Sequence, residues 1–213
     1  MLYSEFIGRR KNTFEKSYEL ILDNMIDNKV YNIVELGSSR SYVTGGVEGC
    51  LNPDKKYWSP NNPRLWDWGA GVFTKVFSDN LKDENFKLYT IDPDDAANII
   101  TTTMCGDDDN VIVIQGFSSD FLNTIDFKID FLYMDHMESS EEASIQHLKD
   151  CELIINNNLM SDNGIILIDD VGDNLSCTKG KYSIPYLMKH NFTVLIHEYQ
   201  VLMVRETREH LDP

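Results

Sequence analysis

Four short apolar runs in this chain end on an acid. Tyr31 to Val34 leads into Glu35, Leu36 and Gly37, Leu88 to Ile91 reaches Asp92, Phe131 to Met134 reaches Asp135, and Ile165 to Ile168 reaches Asp169 and Asp170. Short continuous apolar runs read as strands buried on both faces. In an open α/β sheet the ligand crevice lies outside the carboxyl ends of the strands, so acids gathered there point at one site. The chain therefore reads as a parallel sheet rimmed with carboxylates.

The segments between these runs supply the covering layers. Phe14, Tyr18, Leu22, Met25 and Ile26 recur at helical spacing ahead of the first strand. Residues 44 to 71 break the pattern: they hold all three tryptophans (Trp58, Trp66 and Trp68) together with Pro53, Pro60 and Pro63. A long aperiodic stretch this rich in aromatics reads as an ordered functional insertion. Gly69, Ala70 and Gly71 then open a helical run from Val72 to Leu81, and Val111 to Ile114 is a further strand ending in Gln115, Gly116, Phe117 and Ser118. Ser139 and Glu142 have capping-box spacing for a helix reaching about Ile155. Asn163 and Gly164 read as a turn before the next strand, and Pro185 suits the first turn of a short helix ending near Asn191. Phe192 to Ile196 and Tyr199 to Val204 are separated only by His197 and Glu198, too short for a crossover, so this last pair is antiparallel. The expected architecture is an α/β, Rossmann-like, doubly wound sheet of seven mostly parallel strands with a C-terminal antiparallel hairpin, spanning residues 1 to 213 as a single domain.

Bulk properties narrow the partners. With 19 basic and 35 acidic residues among 213 and a net charge of −16, a nucleic acid or an anionic membrane surface is disfavoured, because polyanion binders carry a basic footprint. No apolar run approaches the roughly 18 residues of a membrane helix, and Met1 to Lys11 lacks a signal-peptide core. A soluble, cytoplasmic protein is expected. Cys50, Cys105, Cys151 and Cys177 are scattered, which suggests reduced thiols rather than a zinc site or a disulfide framework.

The order of elements, with Val-Glu-Leu-Gly at 34 to 37, Thr-Ile-Asp-Pro-Asp at 90 to 94, Asp-Phe-Leu-Tyr-Met-Asp-His at 130 to 136 and Gly-Ile-Ile-Leu-Ile-Asp-Asp at 164 to 170, resembles the class I S-adenosylmethionine-dependent methyltransferases. The likeness spans roughly residues 30 to 205 and is greatest to the catechol and caffeoyl-CoA O-methyltransferase branch. It implies S-adenosylmethionine as cofactor, held by Glu35, Gly37, Ser39, Asp92, Gly116, Phe117, Ser118 and Asp135. Asp92, at a strand end, suits both ribose hydroxyls, and Phe117 offers the adenine an apolar face. Glu35 has a plainer reading as the cap of a local turn.

The resemblance also implies a divalent cation such as Mg2+ on Asp135, Asp169 and Asp170, hard oxygen donors that repel one another without a cation; in the plainer reading only Asp135 and one of the pair reach the crevice and the other caps the next turn. Asp170 stands where metal-dependent members have asparagine. Glu138 stands where they have a catalytic lysine, so that role does not transfer. Asp135 and His136 are the candidate catalytic groups, His136 being either a general base or a packed residue. Lys179 and Lys181 meet an anionic substrate group, replace the missing lysine or are simply solvated. The tryptophans form a lid, a sugar platform, a packed rim or a homodimer contact. The implied activity is methyl transfer to an oxygen of a small-molecule or sugar acceptor. Two rivals stand beside it: a nucleotide-sugar glycosyltransferase using Asp107, Asp108 and Asp109 or Asp135 for a metal-bound diphosphate, and a binding module without catalysis.

Overall fold

The computed structural model describes residues 1–38, 60–66, 68, 72–172 and 178–206. Seven strands form one sheet: β1 (Tyr31–Leu36), β2 (Phe86–Asp92), β3 (Val111–Gln115), β4 (Ile129–Met134), β5 (Met160–Ile168), β6 (Phe192–His197) and β7 (Val201–Arg205), in the order β3-β2-β1-β4-β5-β7-β6. The first five run parallel, and β7 enters antiparallel between β5 and β6. The α/β Rossmann-like architecture with its reversed C-terminal pair is thus the one the sequence pattern implies. Strand order reverses between β1 and β4, and ligand crevices in such sheets open at that switch point.

Among the described residues six α-helices cover the two faces: α1 (Lys11–Asn24), α2 (Phe73–Leu81), α3 (Asp95–Cys105), α4 (Ser118–Leu122), α5 (Glu141–Asn156) and α6 (Ser183–Met188). Strand side chains alternate between faces. Ile33, Phe131, Tyr133 and Leu167 pack with Phe14 of α1, Phe73 and Phe77 of α2 and Ile100 of α3. Val34, Leu36, Leu132, Met134 and Ile168 pack with Leu122 of α4, Ile154 of α5 and Leu187 of α6. Among the described residues no helix is long and apolar enough to cross a membrane.

Some local expectations shift. Ser140, not Ser139, caps α5, its hydroxyl accepting from the Ala143 amide at 3.1 Å. Asn163 and Gly164 lie inside β5, where the pairing jumps from Ile129 with Met160 to Phe131 with Ile165; the turn read from Asn-Gly is a bulge within a strand. Pro185 falls in the third position of α6, which ends at Met188. The sequence reading did not mark α3, capped by Asp94, whose side chain accepts from the Ala96 amide at 2.9 Å.

Beyond the strand ends the ladder continues for one step. The Gly37 amide donates to the Ile91 carbonyl, the Asp135 amide to that of Leu36 and the Asp169 amide to that of Met134. Gly37 has φ +89°, and a Cβ there would lie 2.5 Å from the His136 Cα. Only glycine fits that crossing of two chains. Gly37→Ala is expected to cost about 2 kcal/mol or more through strain and overpacking, read as a lowered midpoint in urea unfolding.

Candidate active site

Two cavities meet at the switch point. The larger, about 420 Å³, is walled by Asp92, Pro93 and Asp94 after β2, Phe117 and Ser118 at the start of α4, and Gly37 and His136 after β1 and β4. The smaller, about 120 Å³, is lined by Ser38, Asp135, Glu138, Asp170, Arg10 and Lys179. Gly37, Asp92, His136 and Met137 line both, so the two form one crevice with a half-apolar arm and a charged end.

Asp92 stands at their junction. Its Oδ2 accepts the Ser38 amide at 3.0 Å and its Oδ1 the Asp94 amide at 2.8 Å. Each oxygen keeps a further lone pair for a ligand. Burial raises its pKa, opposed by those two backbone hydrogen bonds. Phe117 is 64% exposed and presents its ring in the larger cavity. Ser118 donates to Asp150 Oδ2 at 2.9 Å. A Cβ at Gly116 would meet nothing within 4 Å. Ser38 carries a buried hydroxyl with no hydrogen-bond partner among the described residues. Ser39 lies outside the described residues, as do Trp58, Gly69, Ala70 and Gly71.

Glu35 takes another course. It shares a face of β1 with Ile33, two residues earlier, and is only 1% exposed. Its Oε2 accepts the hydroxyls of Thr74 on α2 and Thr90 on β2. Burial pushes its pKa up to about 8, against the pull of both threonines. Glu35 therefore sits inside the sheet-helix layer and does not line either cavity.

Asp135, Asp169 and Asp170 converge as expected, each offering an oxygen within 4.8 Å of the others. Protein cations already stand among them. Lys179 Nζ lies 2.8 Å from Asp135 Oδ1 and 3.0 Å from Asp170 Oδ2. Arg10 donates through Nε at 3.0 Å and Nη2 at 2.7 Å to Asp169 Oδ2. Tyr133 donates to Asp169 Oδ2 at 2.9 Å, and Tyr199 donates to Asp170 Oδ1. Burial and Asp169 push Asp135 up to about 7, against Lys179 and Arg10. Burial would also raise Asp170, but Lys179 and the Tyr199 hydroxyl outweigh it and hold the group below its usual range. Asp169 Oδ1 is buried with no hydrogen-bond partner among the described residues. Asp135 and Asp170, however, are already bridged by the Lys179 ammonium, and a donor set bridged by an ammonium does not fit a divalent ion.

His136 is turned inward. Its Nε2 is 2.9 Å from Asp150 Oδ2 without hydrogen-bond alignment, and neither ring nitrogen reaches the surface. Its ring stacks on His147 at 4.2 Å, and the His147 Nε2 contacts the His136 carbonyl at 3.1 Å. Burial and the neighbouring His136 hold His147 well below the usual range, so it is neutral and its Nε2 carries the proton. Lys181 is engaged away from the crevice, with Glu141 at 2.7 Å. Trp66 and Trp68 pack on the N-terminal segment: Trp66 is 5.2 Å from the ring of Tyr3, and Trp68 stacks on Phe6 at 5.3 Å. Both rings thus pack within the chain, against residues that precede α1.

Asp107, Asp108 and Asp109 sit before β3, at the opposite end of the strands from the crevice. Arg10 and Asp150 were missed by sequence reasoning. Arg10 meets its carboxylate partner 159 residues away, and Asp150 is one of many acids on a helix, so neither carried a local signal.

Protein-family models give no match to this chain, and curated proteins give none either. Solved structures do. A Streptococcus mutans protein described as a candidate methyltransferase, in complex with SAH, aligns with TM-score 0.55 at 11% identity, over 91% of this chain and 97% of that one. The SAH-bound methyltransferase of Podospora anserina aligns with TM-score 0.54 at 18% identity, over 95% and 85%. An rRNA methylase of Streptococcus thermophilus aligns with TM-score 0.54 at 11% identity, over 92% and 96%. What these chains share with the present one is the fold.

Two predictions follow from the buried charges. Arg10→Met, which strands Asp169, is expected to cost about 3–5 kcal/mol in urea unfolding, with part of the loss recovered in the Arg10→Met, Asp169→Asn pair. Glu35 has a folded pKa raised from the usual 4.5 to about 8. Its contribution is fully present below the lower value and is lost as pH rises through the upper one. Thermal unfolding across that window should show wild-type stability falling towards pH 8, and a flatter profile for Glu35→Gln.

Proposed function

We propose that this chain is an S-adenosylmethionine-dependent methyltransferase that methylates an oxygen of a small-molecule or sugar hydroxyl. The observation that carries the reading is the crevice at the switch point, with Asp92 and Phe117 in one arm and Asp135 in the other. Its larger arm, about 420 Å³, falls in the range of small-molecule and cofactor sites. The Ser38 hydroxyl, without a hydrogen-bond partner among the described residues, fits a polar ligand. The SAH complexes of the Streptococcus mutans and Podospora anserina proteins give the same fold a cofactor of this chemistry.

In this reading Asp92 receives the ribose hydroxyls on its two free lone pairs, Phe117 covers the adenine and Ser118 and Gly116 flank it. The acidic end of the crevice favours a cationic methionine tail. When bound, the cofactor supplies an electrophilic methyl group on a sulfonium. Asp135 takes the proton of the acceptor hydroxyl; a carboxylate pushed up to about 7 is matched to that task near neutral pH. Lys179 and the Tyr133 hydroxyl hold it in place, and the charge of Arg10 acts on it through space. The main contribution of the protein is alignment of the two reactants. No step runs through a divalent ion. An rRNA methylase shares the fold, but a net charge of −16 favours a small acceptor over a polyanion.

Calorimetry with S-adenosylhomocysteine tests the cofactor half: wild type should bind, and Asp92→Ala should bind about 10- to 100-fold more weakly through loss of hydrogen bonds to a charged group. Absence of heat with wild type overturns the reading. Asp135→Asn should keep that affinity while losing about 100-fold or more in turnover, and the wild-type rate should rise as pH passes 7, where Asp135 ionises.

A further inference from the structure

We propose that Lys179 is a built-in substitute for a divalent cation: its ammonium bridges Asp135 and Asp170, the two acids of the three that line the crevice, while Arg10 pairs with Asp169, and the chain works without a metal. The inference rests on the reading of the crevice as a methyl-transfer site, but its physical content concerns the carboxylates alone.

An ammonium has three donors and no acceptor. All three are matched by oxygens here: Asp135 Oδ1 at 2.8 Å, Asp170 Oδ2 at 3.0 Å and the Asp135 carbonyl at 3.1 Å. The group is therefore coordinated in the manner of an ion, at hydrogen-bond distances rather than the roughly 2.0–2.6 Å that Mg2+ and Ca2+ require. An ion and this nitrogen cannot share the volume. Arg10 covers Asp169 from the other side. Two fixed positive charges thus face three carboxyl groups and answer part of the repulsion that would otherwise recruit an ion.

The lysine is also held there by its backbone. Lys179 is 1% exposed. The preceding carbonyl, of Thr178, accepts the Ser144 hydroxyl of α5 at 2.7 Å. The following carbonyl, of Gly180, accepts the Ile184 amide in the first turn of α6. A Cβ at Gly180 would lie 2.4 Å from Ile184 Cδ1 and 3.1 Å from Val171 Cγ2, so the chain is pressed against α6 and the end of β5. An ion would have to displace a clamped side chain, not a solvated one. Lys179 is therefore a positioning residue that fixes Asp135 and lines the acceptor end of the crevice.

The test needs no acceptor. Full-length protein is stripped with EDTA and titrated with Mn2+ and with Mg2+, by calorimetry and by thermal unfolding. Wild type should give no saturable heat and no rise in Tm. Lys179→Met, which keeps the length of the side chain and removes its charge, should acquire saturable Mn2+ binding and a Tm that climbs with Mn2+. If that variant does not fold, Lys179→Gln provides the same comparison. Saturable metal binding by wild type overturns the proposal, and so does a folded Lys179 variant that stays as inert as wild type. S-adenosylhomocysteine is titrated into the same EDTA-treated wild type. Absence of that heat would count against the methyltransferase reading and leave the metal result standing.

Discussion

Three carboxyl groups cannot share a few ångströms of protein interior unless positive charge is supplied. That requirement at the ends of β4 and β5 organises much of what surrounds them. Arg10 answers it from the segment that precedes α1, and Lys179 from the loop that precedes α6. Each must be carried by a rigid element to be effective. Arg10 is stiffened by a short 3-10 turn at Gly8–Arg10 and by a contact with the Trp68 carbonyl, and the cluster of Tyr3, Phe6, Trp66 and Trp68 fixes that turn against the domain. The aromatic residues thus serve the electrostatics from a distance, by denying Arg10 the freedom to swing into water.

Strand alternation decides which acids of the rim serve the crevice. Asp92, Asp135 and Asp170 lie at or beyond the point where strand pairing ends, and their side chains reach the cavity. Glu35 lies one residue short of that point, on the face occupied by Thr74 and Thr90. Complete burial gives it the environment of a neutral carboxylic acid, against the two hydroxyls that donate to it. An acid inside a strand and an acid at its tip look alike in a run of letters, yet they differ by the whole cost of leaving water.

This distinction also explains what the sequence reveals and what it conceals. The seven strands are legible because each is a dense apolar run, and the reversed hairpin is legible because two residues cannot cross a sheet. The convergence of Asp135, Asp169 and Asp170 follows from the same topology. The orientation of Glu35 was in principle readable from its period-two relation to Ile33. The Asn163-Gly164 bulge was misread because those residues favour turns, and the pull of Arg205 on the Met160 and Ser161 carbonyls is a tertiary fact. Arg10 was invisible, because nothing near it in the sequence distinguishes it from a solvated basic residue, and Lys179 stood out only as one of two lysines in a glycine-containing loop; the partners of both are set by packing.

The tie between Arg10 and Asp169 spans 159 residues. During synthesis at about 5–20 residues per second, the arginine leaves the ribosome on the order of 8 to 30 seconds before its partner is made. Through that interval the first helix and the early strands must wait with an open edge and an unmatched guanidinium. The crevice is consequently among the last parts of the described fold to come together, after the strands that flank it have been made.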